Sequence, residues 1–180
     1  MSEIVERSSL DLRYEGHRLR DEVREARLLA SIAQRGIETP LEGVDTPEGR
    51  FLLNGFKRWR SATKLGLEGV PYVSLAEEEA MGILSLMRGA TDKALSLLEQ
   101  ARFIADLLTV HGLSVPEIAE KVSRSKGWVS MRKQLLEEMS PAIQQLLFRG
   151  AFPGYCYMYT LRPFRRVNAI SPAEIERIMK

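Results

Sequence analysis

SVPEIAEKVSRSKGWVSMRKQLLEE, residues 114–138, decides how the second half of the chain is read. Two helices joined by a tight turn need a small residue in the first helix where the second crosses it. They also need apolar neighbours around that contact and an apolar anchor inside the second helix. Ala119 is the small residue here, flanked by Ile118 and Val122, and Val129 is the anchor. Ser123, Arg124 and Ser125 supply the turn, with Ser123 at the position where glycine is common. The second helix is expected to open near Ser125 or Lys126. The run 121–136 holds Lys121, Arg124, Lys126, Arg132 and Lys133 and no acid.

That arrangement fits a helix-turn-helix whose second helix lies in the major groove of DNA. Lys126, Gly127, Ser130 and Met131 are then the candidates for base edges. Arg124, Arg132 and Lys133 are the candidates for the phosphates, which fix position rather than sequence, and Ser125 at the helix start completes the DNA-binding set. Trp128 is more readily a packing residue than a stacking one. The competing reading is a plain helix pair that never meets DNA.

Outward from this stretch the helix starts are well marked. Ser74-Leu-Ala-Glu77, Ser96-Leu-Leu-Glu99, Ser114-Val-Pro-Glu117 and Ser171-Pro-Ala-Glu174 all have the serine–glutamate spacing of a capping box. Ser140-Pro141 suggests a further start. Earlier in the chain, residues 19–35 place Val23, Ala26, Leu29, Ala30 and Ala33 at helical spacing, with Gly36 as a stop. LEGVD and RFLLN read as short strands around the turn TPEG. VPYVS is a further strand candidate. Between them GFKRWRSATKLG reads as a helix with Trp59, Ala62 and Leu65 on one side. Residues 1–18 show no period and read as a lead-in, possibly disordered.

The segment RFLLNGFKRWRSA runs from strand to glycine to basic helix. Gly55 allows a tight backbone turn, and the helix start offers amides and the positive end of a dipole. With Lys57, Arg58 and Arg60 this makes a candidate phosphate cradle, for a nucleotide or a nucleic-acid backbone. A strand-glycine-helix element is common on its own, and a solvated basic face is its bland reading.

Composition narrows the classes. With 44% hydrophobic and 28% charged residues the chain has ordinary globular proportions. No apolar run reaches the ~18 residues of a membrane span, and the N-terminus lacks the apolar core of a signal peptide, so a cytoplasmic location and no membrane are expected. The net charge of +2 does not announce a nucleic-acid binder, so any such role must rest on local clusters. The lone Cys156 cannot form an internal disulfide, and no Cys/His cluster has zinc spacing, so no metal is expected. Cys156 lies among Tyr155, Tyr157 and Tyr159 and is expected to pack.

The basic box and the helix pair, in this order, resemble the ParB partition-protein superfamily. There an α/β domain carries Gly-Glu-Arg-Arg-x-Arg after a strand, and a helix-turn-helix domain follows. The box here is Gly55-Phe56-Lys57-Arg58-Trp59-Arg60, and SLLEQARFIADLLTVHGLS and GWVSMRKQLLEEMSPAIQQLLFRGAF are similar to the family's bridge and recognition helix. The resemblance spans roughly residues 19–165 and is strongest to divergent ParB-like proteins with Gly-Tyr-Lys-Arg at the box, of plasmid or mobile-element type.

It implies an α+β architecture: a ParB-like α/β domain over 19–87 and an all-α helix-turn-helix domain over 88–180. It implies helix rather than strand for the tyrosine segment. It implies double-stranded DNA as partner, a homodimer, and CTP as the candidate ligand of Gly55, Lys57, Arg58 and Arg60; no enzymatic activity is the leading expectation, and weak CTP hydrolysis is the exception the family allows. Partition, regulation or a mobile-element accessory role would follow. Phe56 replaces the acid of the box, and the family's Glu-Asn-x-x-Arg motif falls on Arg88-Gly89-Ala90-Thr91-Asp92 without being preserved. Sulfiredoxin shares the superfamily, but its chemistry needs a cysteine in the box, and none is there. The alternative is a nucleotide hydrolase or nuclease on the first domain, for which Asp45 and Glu48 are the nearest acids. No catalytic residue is assigned.

Overall fold

The computed structural model describes residues 1–90 and 95–180, and the chain folds as two compact units. The first comprises Met1–Gly16 with Asp21–Thr91, the second His17–Arg20 with Asp92–Lys180.

The first unit is a five-stranded sheet with three helices. Its strands are β1 (Glu3–Glu6), β2 (Leu10–Asp11), β3 (Leu41–Thr46), β4 (Gly49–Asn54) and β5 (Gly69–Ser74), in the order β1-β5-β3-β4-β2. β3 and β4 form an antiparallel hairpin in which Thr46 faces Gly49, so Pro47 and Glu48 make its tip as the TPEG turn requires. β5 runs parallel to β3, and β2 parallel to β4, while β1 is antiparallel to β5.

Both edge strands come from residues 1–18, which corrects their reading as a lead-in. Val5, Leu10 and Tyr14 are buried. Strands of four and two residues are too short for alternation to be visible, yet they occupy sheet edges that would otherwise be unpaired.

Helix α1 (Glu22–Arg35) starts at Asp21, whose carboxylate accepts from the Arg24 amide. Its inward face is not the alanine stripe read from the sequence. Ile32 is its buried residue, and Val23, Ala26, Ala30 and Ala33 are exposed. Glu25, one heptad before Ile32, pairs with Arg60 of α2 (Phe56–Lys64), and this ion pair sets which side faces inward. On α2, Phe56 and Ala62 are buried, Trp59 is half-buried and Leu65 is exposed. The Trp59 indole donates to the Arg7 carbonyl.

α3 (Glu79–Gly89) packs on β3 and β4 at Gly82, where an added Cβ would lie 2.0 Å from Val44 Cγ1. It begins four residues later than the Ser74–Glu77 pattern suggests. Ser74 ends β5, and its hydroxyl accepts from the Asp45 amide, so it is not available as a cap.

The second unit is all-helical: α4 (Leu97–Thr109), α5 (Val115–Lys121), α6 (Lys126–Glu137), α7 (Pro141–Phe148), α8 (Gly154–Cys156), α9 (Arg162–Asn168) and α10 (Pro172–Met179). Ser96, Ser114 and Ser171 close capping boxes, and Ser140 caps α7. Between α8 and α9 the helix widens into a π-turn at Tyr157–Leu161, so the tyrosine segment is helical. Tyr157 is buried in the core with Leu98, Leu135, Ile143, Leu147 and Ile175. Cys156 is exposed, contrary to its reading as a packing residue, because the turn that sends Tyr157 inward sends its neighbour out.

Residues 17–20 belong to this unit. The Glu99 carboxylate accepts from Arg18 Nε and from the Leu19 amide, and His17 Nε2 lies 2.8 Å from Asp106.

Leu10→Ala is expected to lower the unfolding free energy by about 2–5 kcal/mol, the cost of truncating a buried leucine. Urea denaturation checks this, and a loss too small to measure would return the segment to a dispensable lead-in.

Candidate nucleic-acid interface

The α5–α6 pair is built from its caps inward. Ser114 accepts from the Glu117 amide, and the Glu117 carboxylate accepts from the Ser114 amide at 2.7 Å. The Ser114 hydroxyl, which donates to the same carboxylate at 2.6 Å, and then the Ser114 amide hold the Glu117 carboxyl below its ordinary range. Ile118, Ala119 and Val122 are buried, and Val129 of α6 is fully enclosed.

The turn reverses at Ser123, which sits in the left-handed region at φ 56°. That conformation costs a non-glycine residue roughly 1–2 kcal/mol and explains why glycine is common there. It lets the Arg124 amide reach the Ala119 carbonyl at 2.9 Å. Ser125 then caps α6 by accepting from the Trp128 amide. The positive end of α6 thus opens beside Lys126 and Gly127.

Most of the residues expected to read DNA lie on one accessible surface. Arg124, Ser125, Lys126, Gly127, Met131 and Lys133 are exposed and Ser130 is half-buried. Gly127, Ser130 and Met131 stand at i, i+3 and i+4, on one face. Gln134, at i+7 and exposed, extends that face by a turn. Gln134 carries no charge inside the basic run, so only its helical spacing marks it. Lys133 also pairs with Glu137 at 3.6 Å, an exposed contact of small energetic weight.

Arg132 is the correction. It is 6% exposed, its Nε donates to Gln100 Oε1 at 2.7 Å, and one terminal nitrogen donates to the Trp128 carbonyl. Its guanidinium carbon lies 3.4 Å from the centre of the Trp128 ring. The residue is three positions after Val129 and shares its inward face, so it joins α6 to α4 and offers nothing to a phosphate.

The second basic cluster has a different fate. Gly55 caps α2 at φ 102°, and a Cβ there would lie 2.9 Å from Leu41 Cγ, so glycine is required twice over. Arg58 donates to the carbonyls of Thr39 and Pro40. Arg60, only 15% exposed at its side chain, pairs with Glu15 and Glu25. Lys57 is half-buried. Of the family's second motif, Arg88 and Gly89 end α3, while Thr91 and Asp92 lie outside the described residues. Asp45 accepts from the Tyr72 hydroxyl and pairs with Arg50. Burial, and then Asp45 itself, push the Tyr72 phenol upward. Among the described residues no group of three or more His, Cys, Asp or Glu could hold a metal ion.

Comparison with known proteins agrees with this architecture. The probable chromosome-partitioning protein ParB of Coxiella burnetii is 30% identical over 139 residues, 77% of this chain and 48% of that protein. Stage 0 sporulation protein J of Bacillus subtilis is 30% identical over 148 residues, 82% of this chain and 52% of that protein. A solved pNOB8-like ParB N-domain superposes with a TM-score of 0.54 at 12% identity, over 96% of this chain and 81% of that one. No family model matches. The chain belongs to the ParB-like superfamily. It spans about half the length of the curated relatives it matches.

Arg132→Ala is expected to cost about 1–3 kcal/mol, because Gln100 Oε1 is left buried without its donor. Lys126→Ala should stay within about 0.5 kcal/mol as an exposed change. Thermal unfolding of the two variants checks the pair, and the reverse order would exchange their assignments.

Proposed function

We propose that the chain binds double-stranded DNA, with α6 entering the major groove from its N-terminal end. One observation carries the reading: the capped, electropositive start of α6 presents Lys126, Gly127, Ser130 and Met131 on a single accessible face, flanked by Arg124 and Lys133. Helix geometry of this kind directs N-terminal residues to base edges. Arg124 and Lys133 supply phosphate contacts on either side. The chromosome-partitioning role of a relative supports a nucleoid- or plasmid-associated DNA-binding role, in partition, regulation or a mobile element.

The first unit is proposed to take CTP at the start of α2, through the amides that follow Gly55 and the ammonium of Lys57. Arg58 would join only by leaving the Thr39 and Pro40 carbonyls, and Arg60 stays with its two carboxylates. Hydrolysis is not part of the proposal.

Fluorescence anisotropy with a labelled duplex across a salt series tests the DNA reading. Affinity should fall steeply with salt, and Lys126→Ala or Ser130→Ala should alter preference among duplex sequences. Salt-insensitive or absent binding would leave a helix pair without a DNA role. Calorimetric titration with CTP, against ATP and GTP, tests the nucleotide site. Selective CTP heat lost in Lys57→Ala is expected, and no heat with any nucleotide would make the first unit a scaffold.

A further inference from the structure

Trp128 is half-buried on α6, yet it makes two cationic contacts. The Arg132 guanidinium lies 3.4 Å from its ring centre, and the Arg124 guanidinium lies 5.6 Å from the same centre. Both distances are within the range at which a cation is held by an indole face. Arg132 is itself immobilised. Its Nε donates to Gln100 Oε1, and Gln100 Nε2 donates to the Leu95 carbonyl, so the amide cannot turn over without losing both bonds. A second Arg132 nitrogen donates to the Trp128 carbonyl, tying the guanidinium to the residue whose ring it touches. The result is a continuous chain of contacts from the start of α4, through Gln100 and Arg132, to the indole and then to Arg124 in the turn.

Arg124 otherwise stands exposed on a turn, where a long flexible side chain gives up rotamer entropy when it is fixed on a ligand. A rigid aromatic face beside it removes part of that loss in advance. An indole held in place by a buried cation is such a face, whereas an indole on a freely solvated helix would not be.

We infer that Trp128 is a positioning residue that pre-orders the Arg124 guanidinium for a nucleic-acid phosphate at the mouth of α6. The inference rests on the DNA-binding reading above and adds to it the residue that sets the strength of one backbone contact. Trp128 itself touches no base or phosphate. Its effect is passed through Arg124, and its own anchor is Arg132 rather than the ligand.

The test joins a spectroscopic arm to a binding arm, both on the whole chain. The chain has two tryptophans, Trp59 and Trp128, so Trp59→Phe leaves Trp128 as the sole indole emitter. In that background Arg124→Ala should shift Trp128 emission in the free protein, and unchanged emission overturns the contact. In the binding arm, a labelled mixed-sequence duplex is titrated across a potassium chloride series. Arg124→Ala should flatten the salt slope by about one phosphate. Trp128→Leu should weaken binding by about two- to fivefold, the range of an exposed cation–π contact, and keep the parent slope. In the Arg124→Ala background Trp128→Leu should cost nothing further, and with Arg124 present Trp128→Phe should keep most of the affinity that Trp128→Leu loses.

An equal loss with and without Arg124 means the ring acts through folding alone and overturns the inference while leaving DNA binding intact. A parent chain that binds no duplex overturns the DNA reading and the role of Arg124 with it. Should Trp128→Leu fail to fold, the emission arm and the Trp128→Phe cycle with Arg124→Ala decide the matter.

Discussion

Arg132 places a guanidinium in the interior of the helical unit, where a charge without acceptors would be heavily penalised. Its geometry is therefore not free. Nε meets Gln100 on α4, and a terminal nitrogen donates to the Trp128 carbonyl on α6 itself. Gln100 lies next to Glu99, whose carboxylate closes the α4 capping box and also receives Arg18 and the Leu19 amide. Two adjacent buried polar residues on one helix thus fix two things at once. One holds residues 17–20 against the start of α4, and the other fixes α6 at its crossing with α4. With α6 set against α5, Val129, Ala119 and Ile118 are all buried, and the accessible face through Gly127, Ser130, Met131 and Gln134 is determined by helix period alone.

The first unit depends on a comparable satisfaction of charge. Arg60 on α2 takes carboxylates from Glu25 on α1 and from Glu15 beyond β2. Burial opposes its charged form, yet these two partners outweigh burial and hold its protonated form above its ordinary range. The segment that carries Glu15 also supplies both edge strands of the sheet. Edge closure and ion pairing are therefore done by the same short piece of chain, which has few apolar residues of its own to bury.

Local chemistry was legible in the sequence where it acts over three or four residues. The serine caps at Ser96, Ser114, Ser140 and Ser171, the hairpin turn at Pro47, and the left-handed position at Ser123 are all of that kind. What was not legible depends on partners far along the chain. Ser74 has the spacing of a cap, but its hydroxyl is taken by an amide from β3, some thirty residues earlier. The alanine stripe of α1 is periodic, yet Glu25 and its distant partner Arg60 turn the other side inward. Val5 and Leu10 belong to strands too short to show a period. Cys156 and Tyr157 differ only in which way a π-turn sends them, and no composition rule carries that.

The two basic clusters make the same point about function. Each reads as an acid-free run of cations, and by charge alone they are equivalent. In the fold they are not. The carboxylates that meet Arg60 lie 35 and 45 positions away, and the carbonyls that meet Arg58 lie 18 and 19 positions away. An acid-free run therefore says only that a cation lacks a near neighbour in sequence. Around α6 the acids that follow the run point elsewhere. Glu138 is drawn to Arg162 and Arg166, and Glu137 takes only the far end of the face through Lys133. Arg124 and Lys126 are left at the helix start, where the backbone dipole adds to their field. Distant partners, more than the count of cations, separate the two clusters: Arg58 and Arg60 are taken up by carbonyls and carboxylates within the sheet unit, whereas Arg124 and Lys126 stand exposed at the start of α6.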